Sequence, residues 1–311
     1  RHSIWTNEAQ SKLIESVLLR IPLPAFYFDA TNEDRWVVVD GLQRLTALTR
    51  FIIRQDLRLK GLEYLDKFEG RTYQDLPRNY QRRIAETQVT VFLIEKETPP
   101  DVKFNIFKRI NTGGMPLSAQ EIRHALNQGP ATKLLAEVSN STEFKKATSN
   151  SIKSERMADR EFVLRFLAFT ITPYIQYEDK DMDAFLNAAM ASLNNMSDSE
   201  RRQLVERFYR ALYIAHELWD NYAFRKPGDP LYKKKSPINK ALFEAVTVNL
   251  GALDDFGRQR LVDRKTKFLN AFNELLKDPA YDRSISQATG DVRQVHMRFG
   301  RIANIIKEVI A

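Results

Sequence analysis

Strand-like alternation is confined to roughly the first 128 residues of this chain, and beyond residue 131 the long apolar patterns recur every three to four positions. That partition is the strongest constraint on the fold. A sheet can be assembled only from the N-terminal part, and the remainder must bury helix against helix. In the first part, AFYFD and WVVVD read as two strands joined by the polar turn Ala30-Thr31-Asn32-Glu33-Asp34, a plausible hairpin. EAQSKLIESVLLR and LQRLTALTRFII read as helices, and YQRRIAETQVTVFLIE begins helical and ends as a strand in which Val89, Val91 and Leu93 alternate with Thr90 and Phe92. DVKFNIFKRI is a further helix, followed by a glycine turn and by a helix that starts at Ser118 with Glu121 three residues on, the capping-box spacing. Gly129-Pro130 closes that helix and is the expected boundary between a domain at 1–129 and one at 130–311.

After that boundary, DREFVLRFLAFTI, MDAFLNAAMASLNNM, SERRQLVERFYRALYIAHELW, NKALFEAVTVNLGAL and RQRLVDRKTKFLNAFNELL carry amphipathic helical spacing. Phe162, Phe166 and Phe169 fall on one such apolar face and are expected in the core. The expected class is therefore α+β, with a small sheet in the first domain and an all-α bundle in the second. At 311 residues and 43% hydrophobic content, the chain can build two ordinary cores. It has no cysteine, which excludes disulfides, thiol catalysis and thiolate zinc sites. No run approaches the roughly 18–20 apolar residues of a membrane span, so a cytoplasmic protein is expected. A chain that opens on Arg1 is expected to have lost N-terminal residues. The net charge of +8 suits a polyanionic partner such as DNA or a nucleotide, although many soluble proteins are mildly basic without one.

The chemistry-bearing residues cluster at two turns. In VVVDGLQRLTAL, a strand runs into Asp40-Gly41 and a helix opens on Gln43-Arg44. Unpaired N–H groups at such a helix start suit phosphate, glycine permits close approach, and Arg44 can grip two oxygens while Gln43 and Thr46 add neutral hydrogen bonds. Asp40 could ligate a metal or orient Arg44, and the same residues also suit an ordinary capped turn. In FKRINTGGMPLSAQEIRHAL, the run Asn111-Thr112-Gly113-Gly114 can form an anion-binding nest, with Lys108 and Arg109 just before it, or simply end a helix. Among His2, His124, His216 and His296, no two have a metal-binding spacing, and His124 alone lies near either turn in sequence. Farther along, SISQATGDVRQVHMRFGRI places Ser284, Ser286, Gln287, Thr289 and Gly290 before Arg293, Arg298 and Arg301, a group that can hold a DNA backbone or merely form a solvated helix end. Lys233, Lys234 and Lys235 beside Tyr232 could sample DNA, or be a charged loop. Trp5 and Trp36 border the motifs and could stack on a base or lid the sheet.

RHSIWTNEAQSKLIESVLLRIPLPAFYFD, VVVDGLQRLTAL and IFKRINTGGMPLSAQEIRHAL together resemble the N-terminal domain family of GmrSD-type, modification-dependent restriction enzymes. RMADREFVLRFLAF extends the resemblance weakly into the second part. The resemblance implies a fold similar to ParB and sulfiredoxin, and an Asp-Gly-Gln-Gln-Arg motif tied to NTP binding and hydrolysis (GTP, UTP or CTP) that licenses restriction. Asp40, Gly41, Gln43 and Arg44 match that motif, whereas Leu42 stands where its commonest form has glutamine, a departure that bears on hydrolysis. Asn111, Gly113 and Gly114 match a later Ile-Asn-Thr-Gly-Gly signature. By analogy with ParB, the helix carrying Asn105 and Arg109 would face triphosphate or Mg²⁺. On this reading Asp40 and Arg44 are catalytic, with Asp40 and Asn105 as metal ligands. The implied partners are DNA and a nuclease domain or protein, because the chain lacks the histidine cluster of the His-Asn-His nuclease many relatives carry. Self-association is compatible with this. The competing functions are a non-catalytic DNA-binding adaptor of ParB-like fold and a ParB-like nuclease.

Overall fold

Helix α1 (Asn7–Leu18) starts where Thr6 caps it, the Thr6 hydroxyl accepting from the Ala9 N–H at 3.2 Å. Its apolar residues Leu13, Ile14, Val17 and Leu18 form one buried stripe. Here and below, the fold is that of a computed structural model describing residues 5–110, 117–178, 181–226 and 235–311. The chain divides into two compact units, Arg1–Pro116 and Leu117–Ala311.

In the first unit, β1 (Phe26–Asp29) pairs antiparallel with β2 (Val37–Asp40), and β3 (Val91–Ile94) pairs parallel with β1, giving the order β2-β1-β3. The hairpin is the one its turn residues foretell, with a register irregularity between Tyr27 and Phe28. Helix α2 (Leu42–Leu48) leaves the end of β2 and widens into a π-helical turn over Thr49–Arg54. Helix α3 (Arg78–Ala85) leads into β3, and α4 (Pro100–Ile110) packs against β2. The principal core joins Ile14, Val17 and Leu18 to Phe51, Leu57, Leu59, Phe68, Leu76 and Ile84. Glu15, itself buried, serves as a hub: its carboxylate accepts from the N–H groups of Glu63, Tyr64 and Leu65 and pins that loop to α1. Burial alone would raise its pKa, but those three N–H donors hold it below the usual glutamate value. Strand β3 differs from its sequence pattern: Val91, Phe92 and Leu93 are all 44–49% exposed and only Ile94 is buried. It lies at the end of the strand order, with Phe92 stacked on Tyr27 at 5.0 Å.

The second unit is helical: α5 (Ala119–Leu126), α6 (Pro130–Asn140), α7 (Thr142–Ala147), α8 (Ala158–Ile171), α9 (Met182–Asn195), α10 (Asp198–Trp219), α11 (Lys240–Gly251), α12 (Asp255–Asp263), α13 (Lys265–Lys277), α14 (Pro279–Ser286) and α15 (Val292–Ile310). The α+β class thus stands, with its strands confined to the first unit among the described residues. Ser118 and Glu121 form the capping box at α5. This helix belongs to the second unit, where it packs on α8 and α9, and its fully buried Arg123 pairs with Asp183 at 2.9 Å. The compact units therefore meet between Pro116 and Leu117, upstream of the Gly129-Pro130 turn. Phe162, Phe166 and Phe169 are buried, and rings from several helices interlock, Phe166 with Phe208 at 4.6 Å and Phe162 with Phe243 at 5.1 Å. Among the described residues no helix is long and apolar enough to cross a membrane.

Inside this apolar core lies a chain of ions. Glu244 of α11, fully buried, accepts from Arg298 of α15 (Nε, 3.0 Å) and from Arg165 of α8 (Nη1, 2.8 Å). Arg165 also donates to Glu161 at 3.0 Å, and Lys240 reaches the second Glu161 oxygen at 2.8 Å. Removing one partner of such a group strands a charge in low dielectric. Arg298→Ala should therefore lower the unfolding free energy by about 3–5 kcal/mol, read as the loss in urea stability. Burial by itself would raise the Glu161 pKa, but Arg165 and Lys240 outweigh it and hold the carboxyl at about 2. The unfolded chain titrates near 4.5, so this stabilisation is complete above that pH and is lost as pH falls toward 2. The linkage is worth roughly 3 kcal/mol. Glu161→Gln should remove that part of the acid sensitivity, visible as a flatter Tm profile between about pH 4.5 and 2.

Candidate functional site

At the β2–α2 corner, Asp40 is the last strand residue and Gly41, at φ +98°, turns the chain into the helix. A Cβ on Gly41 would collide with the Phe26 ring, so glycine is required both by the backbone angle and by the close approach of β1. Arg44, in the first turn of α2, points inward and is only 8% exposed. Its guanidinium donates to the carbonyl of Pro24, to that of Ala25 at 3.0 Å and to Asp40 Oδ2 at 2.7 Å, and lies 4.5 Å from the centre of the Phe26 ring. These bonds tie the entry to β1, the exit from β2 and the start of α2 into one knot. Arg44 is thus a brace with its charge matched by Asp40, rather than a free phosphate ligand.

The other corner residues fall into two groups. Thr46 donates to Leu42 O at 2.8 Å, a bond within its own helix. Gln43 accepts the Trp5 N–H at 3.2 Å, and Trp5 O accepts from Gln10, so the chain before α1 is fastened to the corner. Trp36 stands half exposed near Phe28. On α4, the buried face is Lys103, Phe104 and Phe107, while Asn105, Lys108 and Arg109 are exposed. Lys103 is a residue that motif reading passes over: its ammonium donates to Thr31 and sits 3.9 Å from Asp29, at the mouth of the hairpin. Its place at i and i+4 with Phe107 was the available signal. Gly41, at the N-cap of α2, has no side chain with which to cap it. Asn111, Thr112, Gly113 and Gly114 lie outside the described residues.

As a metal site the corner fits poorly. The Asp40 charge is spent on Arg44, Asn105 is a neutral amide on an exposed helix face, and no group of three or more His, Cys, Asp or Glu able to hold an ion occurs among the described residues.

In the second unit, several expected sites change character. Arg298, expected to contact DNA, is fully buried against Glu244 and Ser284 O, because it occupies the apolar stripe of α15 between Val295 and Ile302. Ser284, expected in a polar loop, is likewise buried on α14 and bonds to Tyr281 O at 2.6 Å. Arg293 does face solvent, its side chain 92% exposed near Asp291, and Arg301 pairs with Asp278 at 2.8 Å. Lys235 lies over the Tyr222 ring at 4.7 Å, whereas Lys233 and Lys234, like His2, are outside the described residues. His124 sits 3.3 Å from Arg160, and burial followed by that positive charge lowers its pKa.

Residues 1–127 match the family described as GmrSD restriction endonuclease, N-terminal domain. The GmrSD match includes the β2–α2 corner and runs through α5, past the point where the compact units divide. No curated protein and no solved structure gives a match.

The brace makes a direct prediction. Arg44→Lys keeps the charge but loses the planar fork, and should destabilise the first unit by about 1–3 kcal/mol. Hydrogen exchange should show this as faster exchange in β1 and β2 with the α8–α11–α15 amides unchanged.

Proposed function

We propose that this chain is a component of a DNA restriction or anti-phage defence system whose first unit binds a nucleoside triphosphate at the β2–α2 corner. The observation that carries the proposal is the match of residues 1–127 to a domain named for GmrSD restriction endonucleases. The geometry supports a division of labour different from the one its motif suggests. Asp40 and Arg44 shape the corner, and phosphate is met by Gln43 and by the exposed face of α4 with Asn105, Lys108 and Arg109. Asp40, already neutralised by Arg44, would leave any Mg²⁺ to be held by the triphosphate oxygens. Turnover by Arg44 would require its bonds to Pro24, Ala25 and Asp40 to open first, so binding, rather than rapid hydrolysis, is the activity assigned to this chain. DNA and a nuclease domain or protein are its partners, with Arg293 and the 233–235 lysines offering phosphate contacts.

Titrating fluorescent GTP, UTP, CTP and ATP with Mg²⁺ tests this directly. Arg109→Ala should weaken binding about tenfold without moving Tm, because Arg109 is exposed. Wild-type protein that binds no triphosphate, yet binds DNA, would reject the proposal in favour of the non-catalytic adaptor.

A further inference from the structure

Strand β3 ends the sheet of the first unit, and its outer edge is open. The Phe26 N–H donates to Thr90 O at 2.8 Å and the Ala30 N–H to Ile94 O at 2.9 Å. In a parallel ladder the backbone groups of alternate residues turn to the same side. Thr90, Phe92 and Ile94 therefore face β1, and Val91 and Leu93 point their N–H and C=O groups away from it, with no backbone partner there among the described residues. The side chains along this edge are apolar on both faces of the sheet, with Val89 48%, Val91 44%, Phe92 49% and Leu93 44% exposed.

Soluble proteins ordinarily guard such an edge with a lysine, a proline or a covering segment. Residues 87–94, TQVTVFLI, contain neither a charge nor a proline. An occupant must bring a strand that is apolar on both faces, and β3 itself meets that requirement. Charge then sets the direction. Ahead of β3, helix α3 carries Arg78, Arg82 and Arg83 with no acidic residue, and directly after β3 come the exposed Glu95, Lys96 and Glu97. Antiparallel pairing of two copies brings the acidic exit of each toward the basic entry of the other, whereas parallel pairing sets like charges side by side.

We propose that β3 is a homodimer edge, pairing antiparallel with β3 of a second copy about a two-fold axis through Phe92. In that register Val91 of each copy faces Leu93 of the other, and the two pairs exchange about four backbone hydrogen bonds. The two Phe92 rings form a cross-strand aromatic pair. Because each copy consumes the other's open edge, assembly stops at two and the three-stranded sheets merge into one of six. The proposal is independent of nucleotide binding and is read by mass and cross-linking alone.

Sedimentation of the full chain over about a hundredfold range of concentration provides the first test, with the average mass expected to rise toward that of a dimer. Leu93→Lys places a charge on the edge, and Val91→Pro removes an N–H that makes no bond to β1. Each should weaken dimerisation about tenfold or more with Tm little changed, since both residues are exposed. The chain has no cysteine, so single thiols report position without background. With Phe92→Cys the two thiols lie opposite each other, about 4.5 Å apart between Cα atoms, and should oxidise quickly to a disulfide-linked dimer. With Gln88→Cys, also exposed, they lie roughly 25 Å apart and should not. The proposal is overturned if wild-type protein stays monomeric throughout, if both edge variants dimerise as wild type does, or if the thiol at 92 cross-links no faster than the one at 88. A monomer whose Val91 and Leu93 amides resist hydrogen exchange would also overturn it, assigning the edge to another segment of the same chain.

Discussion

A carboxylate with no exposed surface has to be neutralised where it lies, and Glu244 meets that requirement with arginines from two different helices. Because Arg165 comes from α8 and Arg298 from α15, the three helices can satisfy the charge in only one mutual placement. Apolar side chains tolerate sliding by a fraction of a turn, whereas charge-assisted hydrogen bonds from two helices to the two oxygens of one carboxylate do not. Buried ion pairs are weak evidence for net stability, since desolvation offsets much of the Coulomb attraction. What the network supplies here is position. Glu161 and Lys240 extend the same constraint toward the surface, where solvent takes over the remaining charge.

The first unit repeats the device on a smaller scale. Its sheet has three short strands, of which β3 is largely exposed, so strand pairing and apolar burial alone fix the corner poorly. Arg44 compensates by bonding two carbonyls ahead of β1 and the carboxylate at the end of β2. Gly41 makes the approach sterically feasible by leaving room for the Phe26 ring. An Asp-Gly-x-Gln-Arg run can therefore persist in a sequence for reasons of architecture, and whatever ligand the corner takes is presented with a rigid frame. Glu15 does comparable work for the loop at 63–65, using backbone N–H groups in place of a cation.

Much of this was legible in the amino-acid sequence, and the failures share one cause. Helical spacing located α8, α9, α10, α11 and α13, and the hairpin followed from two β-branched or aromatic runs around a polar turn. Residue type, however, does not reveal which way a charge points. Arg293 and Arg298 look alike in a basic segment, yet they sit five positions apart on one helix, which turns them about 140° from each other. Arg298 is three residues after Val295 and four before Ile302, so the apolar period already placed it in the core. Glu244 could be suspected from its apolar neighbours Leu242, Phe243, Ala245 and Val246, but its partners lie 79 and 54 residues away and no local pattern names them.

Asp40 and Asp159 show how hydrogen-bond satisfaction, rather than motif membership, separates two carboxylates of one chain. Asp40 stands in a recognisable pattern, and its charge is already matched by Arg44 at 2.7 Å. Asp159 lies in the weakly matching segment RMADREFVLRFLAF and reads as an ordinary acidic residue in a first helical turn, yet its buried Oδ1 lacks a donor. A matched carboxylate gives up an existing bond to engage anything new, so its net gain on binding is small. An unmatched one has lost its hydration on folding with no bond in return, a cost that the surrounding packing of the fold has to offset.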